Sequence, residues 1–399
     1  MRIRLGQSQV SQLLHSIHNT ATIDGFTHDF YRYPGRFSPL FARSVIQAFT
    51  DPGDIVLDPF MGGGTSIVEA MALGRRAIGI DINELSVFVT RVKTTPLSRD
   101  EQDQVQAWLE RQSESTILRQ GTTSLSISVP DSLTNLGDRT TWRIQKVIAS
   151  LLDSVNLSSQ NQNDLARCII LRTAQWALDC RAAIPSVAVF RQRLAMYGKR
   201  MLEGLRDYSN RIQSVDHYYG FYPPFRTLLY HGSASGIPKE PALVKYSPKL
   251  IVTSPPYPGV HMLYHRWQIQ GRRESSAPYW ITNTNDTQGA SYYTFCDRKQ
   301  INLQGYYQKL FECFSSVRYI CDRDTLVVQL VSFSDPEWQL PKYLSVLEEV
   351  GFRERKLLGT AGPEKARIWR NVPNRRWYAA QRPLTPSSKE LVLFHSIRN

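Results

Sequence analysis

An α/β fold, with a doubly wound and mostly parallel sheet carrying a large helical insertion, is what this 399-residue sequence predicts. Three observations lead there. Short unbroken apolar runs such as "DIVLDPF", "KLIVTSPPY" and "DTLVVQLVSF" have the texture of strands covered on both faces, as parallel sheets require. Helical segments alternate with those runs, which is the rhythm of strand–helix–strand units with crossover connections. Between residues 97 and 225 that rhythm stops, and amphipathic helices follow one another with polar linkers such as "NLSSQNQND".

The elements follow in order. "SPLFARSVIQAF" opens as a helix, with Ser38 as its N-cap, Pro39 at the first helical position, and Leu40, Phe41, Val45, Ile46 and Phe49 at helical spacing,. "DIVLDPF", "SIVEAMALG" and "RRAIGIDIN" then read as strand, helix and strand,. In the insertion, "RDEQDQVQAWLERQSES", "TTWRIQKVIASLLDSV", "NDLARCIILRTAQWAL" and "FRQRLAMYGKRMLEGLRDYSNRI" are helices, the last carrying Arg191, Arg193, Lys199, Arg200 and Arg206. From Arg226 the strands return as "TLLYHGSA", "KLIVTSPPY", "DTLVVQLVSF" and "KELVLFHSI", with "YYQKLFECFSSV" and "LPKYLSVLEEVGF" as helices among them. The expected division is one sheet domain formed by residues 1–96 and 226–399, with 97–225 inserted into it.

Two strand ends carry chemistry. In "IVLDPFMGGGTS" a buried strand ends at Asp58, Pro59 and Phe60, Gly62, Gly63 and Gly64 follow, and a helix begins near Thr65. Glycine permits positive φ and lets a ligand approach the backbone closely. The next strand ends in Asp81, where a carboxylate can accept from two ribose hydroxyls,. No lysine follows the glycines, which excludes a P-loop, and Ile67 stands where a dinucleotide fingerprint needs its third glycine,. A cofactor with adenosine and no phosphate is favoured, and S-adenosylmethionine is such a molecule. Asp58 would accept from its ammonium, and the glycines would leave room for its sulfonium arm. The second strand end is "LIVTSPPY". Pro255 and Pro256 have no backbone donor, so the ladder stops there,. Ser254 and Tyr257 are then projected from a strand's C-terminal end, where open α/β sheets hold their ligands.

Composition narrows the partners. The net charge of +13 points to a polyanion, and 11% aromatic residues suit stacking on bases,. Five cysteines form no C-x-x-C pair and no zinc pattern,. His261 and His265 stand at i, i+4 without a third ligand, so no metal is expected. The N-terminus has no apolar signal core, and no run approaches the ~20 apolar residues that span a bilayer. An intracellular, soluble protein that does not associate with membranes is expected.

Taken together, "DPFMGGGTS", "GIDIN" and "TSPPY" resemble the first, second and catalytic fourth motifs of the amino-methylating DNA methyltransferases. That family modifies exocyclic nitrogens of cytosine (N4) or adenine (N6). "YRYPGRFSPLFARSVI" is similar to the segment that packs over the methionine part of the family's cofactor, and "YHGSASG" stands at the third motif, with Ser233 or Ser235 in place of the usual acid. The resemblance covers about 27–95 and 226–399, and nothing in the helical insertion matches it.

The resemblance implies a Rossmann-like methyltransferase sheet holding S-adenosylmethionine through Phe37, Asp58, Pro59, Phe60, Gly62, Gly64, Thr65, Asp81 and Thr253. Ser254, Pro255, Pro256 and Tyr257 would be catalytic. Acceptors at Ser254 and the Pro255 carbonyl would localise the amine's lone pair, and Tyr257 would stack on a base that has left the duplex. No cysteine follows a proline, which disfavours carbon-5 cytosine methylation. In the family, Ser at the first catalytic position is usual for cytosine N4 and Asp for adenine N6. Ser254 therefore favours cytosine N4, with adenine N6 as the alternative. An RNA amino-methyltransferase and a non-catalytic nucleic-acid-binding protein are further alternatives. The implied setting is cytoplasmic and prokaryotic, within restriction–modification or a related defence system. Double-stranded DNA, with a separate cognate endonuclease or defence-system subunit, would be the partners. DNA contacts are expected from Arg266, Arg272 and Arg273 after the catalytic turn and from Arg375 and Arg376 near the end, with 97–225 as a target-recognition region.

Overall fold

The computed structural model describes the chain except at residues 1, 4, 20–24, 34–37, 115–132, 134, 137–138, 182, 221–224, 260–265, 271–272, 287–294, 297–299, 358–366, 372–388 and 399. The first part runs β1 (Arg2–Ile3), α1 (Gln7–His18), α2 (Pro39–Phe49), β2 (Ile55–Asp58), α3 (Thr65–Ala72), β3 (Arg76–Asp81) and α4 (Glu84–Thr94). Four helices follow: α5 (Arg99–Glu114), α6 (Trp142–Asp153), α7 (Gln160–Leu178) and α8 (Val187–Tyr219). The chain then forms β4 (Thr227–His231), α9 (Pro241–Val244), β5 (Leu250–Thr253), a small hairpin of β6 (Trp267–Ile269) and β7 (Arg273–Ser275), and α10 (Ala277–Thr282). It ends with α11 (Gln304–Tyr319), β8 (Leu326–Val331), α12 (Pro336–Val350), β9 (Phe352–Leu357), β10 (Ile368–Asn371) and β11 (Lys389–Ile397).

The main sheet has the order β1-β9-β11-β8-β5-β2-β3-β4, with β10 paired to β11. Strands β8, β5, β2, β3 and β4 are mutually parallel. β11 enters antiparallel between β8 and β9. The chain builds outward from β2 through β3 to β4, then returns to lay β5 against the other side of β2. That reversal is a topological switch point, and it opens a crevice at the C-terminal ends of β2 and β5. The doubly wound fold is thus as expected, and the strands and helices read from the sequence are present within a few residues. The direction of β11 is not visible in an apolar run, because direction depends on the partner. β9 lacks the apolar texture altogether: "FRERKL" buries only its two ends.

All residues of β2, α3 and β5 are buried, since helices cover both sheet faces. α3 nevertheless carries Glu69, fully buried, which accepts from His28 Nε2 at 2.8 Å and from Arg43 at 2.7 and 3.1 Å. Three donors compensate for a carboxylate that burial alone would make prohibitive. The helices of 97–225 share one hydrophobic cluster with Phe30, Tyr33, Leu85 and Phe88 and with Trp267 and Tyr279 beyond β5. α8 also lies along α3: Tyr208 donates to the Val68 carbonyl at 3.3 Å and Arg211 to the Ala72 carbonyl at 2.8 Å. Among the described residues no helix is long and apolar enough to cross a membrane.

β11 contains His395, buried, with Nδ1 facing the amide nitrogen of Gln329 at 3.4 Å. Burial pushes its imidazole down from 6.5 to about 4, partly opposed by the nearby Glu354 carboxylate. The neutral ring is therefore the one that folds. Its contribution to stability is complete above 6.5 and is lost as the pH falls through 4,. By linkage the loss is about 3 kcal/mol. The stability difference between wild type and His395→Gln, measured by urea unfolding, is expected to shrink by that order between pH 7 and pH 4. A difference that stays flat with pH would refute the assignment.

Candidate active site

The two strand ends expected to carry chemistry meet at the switch point. β2 and β5 pair in parallel with Val56 opposite Leu250 and Leu57 opposite Ile251. At their ends Thr253 Oγ1 donates to Asp58 Oδ1 at 2.7 Å. The same oxygen accepts the Phe60 amide at 3.1 Å, and Oδ2 accepts from Ser66 Oγ. Asp58 is 1% exposed. Burial pushes its carboxyl up to about 6, although the Ser66, Thr253 and Phe60 donors all pull the other way.

The glycine loop beside it is tied down on every side. Gly62 and Gly64 have φ of +48° and +71°, a region that side chains rarely occupy,. Asp81 at the end of β3 accepts the Gly62 amide at 2.9 Å and the Asn83 amide at 2.9 Å. From α4, Ser86 donates to the Gly62 carbonyl and the buried Lys93 ammonium to the Gly63 carbonyl at 2.7 Å. On the side that a Cβ would take, these glycines meet protein, which leaves the expected room for a sulfonium arm to the opposite, backbone side. A Cβ on Gly63 would lie 2.8 Å from Tyr33 Cβ, and one on Gly64 would lie 2.5 Å from Thr90 Oγ1. Their bare faces are filled by protein, so small size at these positions serves the approach of Tyr33 and Thr90. What the corner does offer a ligand is polar. Thr65 Oγ1 and Thr90 Oγ1 are buried without a partner among the described residues, and Asp58 and Asp81 supply two carboxylates. Those groups suit a cofactor with a cationic, hydroxyl-rich body. Phe37 lies outside the described residues.

On the other side of the crevice, Ser254 Oγ donates to Tyr257 Oη at 2.9 Å, and Tyr257 Oη donates to Glu390 Oε1 at 2.7 Å. Glu390 Oε2 accepts from Arg370 Nε at 2.8 Å and is bridged by its NH2 at 2.7 Å. The Pro256 carbonyl accepts from Tyr306 at 2.7 Å. Tyr257 was expected at the lip of the strand with its ring free for a base. It is 9% exposed and belongs to the cluster of Phe295, Tyr306 and Phe333. The anchor on Glu390, in β11, draws it inward. Phe60 remains half-buried, and its ring centroid lies 5.8 Å from that of Phe295 in an edge-on contact.

Sequence reasoning overlooked Glu390, Ser66, Ser86 and Lys93, and it read Arg370 as one of a group of cations beside a DNA groove, whereas Arg370 is paired with Glu390. One signal was available: charged residues inside otherwise apolar elements, Glu390 in "KELVLF" and Lys93 in "FVTRVKTT". Of the arginines expected on DNA, Arg266 is committed to Asp286 at 2.6 Å, a structural ion pair and not a free charge. Arg273 is exposed on β7, whereas Arg272, Arg375, Arg376, His261 and His265 lie outside the described residues. A separate cleft of about 370 Å³ opens on the outer side of α4, walled by Glu84, Phe88, Arg91, Asp164 and His231. It includes neither Asp58 nor Ser254.

A crevice at the switch point of a doubly wound sheet, with acids at the ends of β2 and β3, defines the class as a Rossmann-like sheet,, and the resemblance of its motifs to the amino-methylating DNA methyltransferases makes S-adenosylmethionine the expected cofactor. Residues 10–88 match the family model described as DNA methylase, which covers the N6- and N4-methylating enzymes. Through this segment the chain is similar to the amino-methylating DNA methyltransferases. It is 28% identical to the Type II methyltransferase M.MvaI of Kocuria varians over 257 residues, 60% of this chain and 54% of that protein. It is 38% identical to the Type II methyltransferase M.MjaII of Methanocaldococcus jannaschii over 66 residues, 16% of this chain and 12% of the relative. With the DNA adenine methyltransferase YhdJ of Escherichia coli K12 it shares 42% identity over 55 residues, 14% of this chain and 19% of the relative. The chain thus matches about half or less of the length of these relatives.

Replacing Thr253 by Val keeps the shape of the strand end and removes one donor to Asp58. At pH 8, where Asp58 is ionised, the loss of stability is expected to be about 1–3 kcal/mol. At pH 5, below its titration near 6, the loss is expected to be smaller. Urea unfolding at both values checks this, and equal losses would show that the bond does not favour the ionised form.

Proposed function

We propose that the protein transfers a methyl group from S-adenosylmethionine to the exocyclic amino group of a DNA base extruded from the duplex, and that this base is cytosine, methylated at N4. The observation that carries the reading is the Asp58–Thr253 hydrogen bond, which joins the cofactor corner to the Ser254 turn within one crevice. Cofactor contacts are assigned to Asp58, Asp81 and Thr65, with the loop of Gly62 and Gly64 as their rigid base.

An aromatic amine is a poor nucleophile because its lone pair is delocalised into the ring. Ser254 commits its own proton to Tyr257, so its lone pairs remain to accept an amino hydrogen and draw the nitrogen's electrons out of conjugation. The Pro255 carbonyl is the second acceptor in this reading. When bound, the cofactor supplies an electrophilic methyl group on a sulfonium. The chain's task is then positioning and exclusion of water, effects capable of large accelerations. After transfer the nitrogen must release a proton, and the line Ser254–Tyr257–Glu390 offers it an inward route. Stacking of the base on Tyr257 requires the ring's buried face to be uncovered, so the ring's first duty here is to hold Ser254.

Ser254, where adenine enzymes of the family usually carry Asp, supports cytosine N4. Adenine N6 is the second reading, favoured by the likeness to a DNA adenine methyltransferase. A place in a restriction–modification or related prokaryotic defence system, beside a separate endonuclease, is supported by the likeness to two Type II methyltransferases.

Incubation with tritiated cofactor and duplex DNA, followed by digestion to nucleosides, is expected to put label in N4-methylcytosine. Label in N6-methyladenine would establish the second reading, and no transfer to any DNA would sink both. In Tyr257→Phe the link between Ser254 and Glu390 is cut. A fall in kcat of about 10–100-fold is expected, in line with the loss of a positioned polar group, with cofactor affinity by calorimetry unchanged. An equal loss of cofactor affinity would show that Tyr257 belongs to the cofactor's pocket.

A further inference from the structure

Outside the crevice, the surface of the helical region carries a repeated motif of cations on indoles. The Arg181 and Arg193 guanidinium carbons lie over Trp176 at 4.4 and 4.5 Å, and Arg193 also lies 5.7 Å from the Tyr197 ring. On α6, Trp142 is 38% exposed and carries Lys146 at 4.9 Å and Arg143 at 5.5 Å. None of these four cations forms an ion pair with a carboxylate among the described residues.

The β6–β7 hairpin joins the two clusters. At the end of α7, the Cys180 amide donates to the Gln268 carbonyl at 2.7 Å. At the start of α6, Asn135 Nδ2 donates to the Glu274 carbonyl at 2.8 Å, and Gln270 donates to Thr140 Oγ1. The exposed Arg273 stands on this hairpin. Of the acids at the hairpin and the end of α7 among the described residues, Asp179 accepts the Gln268 amide at 3.0 Å and is thereby occupied, and Glu274 lies on β7. The face is also fixed to the active site. Gln175, next to Trp176, clamps the backbone of Arg32 at 3.0 and 2.9 Å, and Trp267 donates to Tyr31 at 2.9 Å. Tyr33 of that same segment covers the glycine loop.

We infer that this face, from Trp142 with Arg143 and Lys146 across the hairpin to Trp176 with Arg181 and Arg193, is the surface that grips the phosphate backbone of duplex DNA. The inference rests on the proposed DNA substrate and assigns it a docking surface. A guanidinium stacked on an indole is pre-ordered and keeps its in-plane N–H edge for a phosphate. Unpaired cations on both sides of the hairpin that follows the catalytic turn are what backbone contact requires. Such contacts fix register without reading sequence.

The test is fluorescence anisotropy of the full chain on labelled duplex DNA across a salt series. The variants are Arg181→Ala with Arg193→Ala, and, as a control of equal charge loss, Arg323→Ala with Lys342→Ala, two exposed residues in the turn before β8 and on α12. The first pair is expected to weaken binding by about tenfold or more and to lower the slope of log Kd against log salt by about 2, one unit for each lost phosphate contact. The control should keep the wild-type slope, and cofactor affinity should stay unchanged in both. Wild-type affinity in the first pair, or an equal fall in the control, would overturn the surface. So would tighter wild-type binding to RNA of the same length, with the loss falling on RNA. Methyl transfer by the wild-type chain is scored separately. Duplex binding through this face without transfer would retain the surface and sink the function, and transfer with undiminished DNA affinity in the first pair would do the reverse.

Discussion

The hydrogen bond from Thr253 to Asp58 is the constraint on which the rest of the structure turns. It spans 195 residues of sequence, and it exists because β5 returns to pair with β2. A carboxylate at 1% exposure is costly unless donors surround it. The donors come from three places: the end of β5, the turn after β2, and the first turn of α3. Each of these must therefore be in position before Asp58 is satisfied. The result is a crevice whose two walls are welded at their base, one carrying the glycine loop and the other the double-proline turn.

From that weld outward, both walls are stiffened by buried polar groups. On the side of the glycine loop, the amides and carbonyls are answered by Asp81, Ser86 and Lys93. On the side of the double-proline turn, the serine and tyrosine lean on Glu390 and Arg370 in the last two strands. Such groups are preorganised by the fold, so they do not have to reorganise when charge moves during a reaction. The antiparallel entry of β11 between β8 and β9 has its functional consequence here, for it sets the Glu390 carboxylate against Tyr257.

The helices of 97–225 are bound into this arrangement. They bury a common cluster with α4 and with the hairpin beyond β5, and α8 is hydrogen-bonded along α3. The segment of Tyr31–Tyr33 runs between the two, held by α7 on one side and pressed on the glycines on the other. Any partner that settles on the helical face therefore touches elements continuous with the roof of the crevice. This follows from packing alone, since close-packed interiors transmit displacement instead of absorbing it.

The alternation of apolar runs and helices, the strand ends at Asp58, Asp81 and Thr253, and the glycine turn were all legible in the sequence. These are local matters: an apolar run of four residues, a proline pair or a glycine triplet imposes its geometry on its own neighbourhood. The relation of one run to another was decided by the tertiary structure. The inward turn of Tyr257, the filling of the glycines by Tyr33 and Thr90, the pairing of Arg266 with Asp286, and the roles of Glu390 and Lys93 all depend on partners far along the chain. Side chains at a strand end are indifferent in sequence to lip or core. A buried acceptor such as Glu390 chooses for them, because an unmet polar group costs more free energy than an exposed ring.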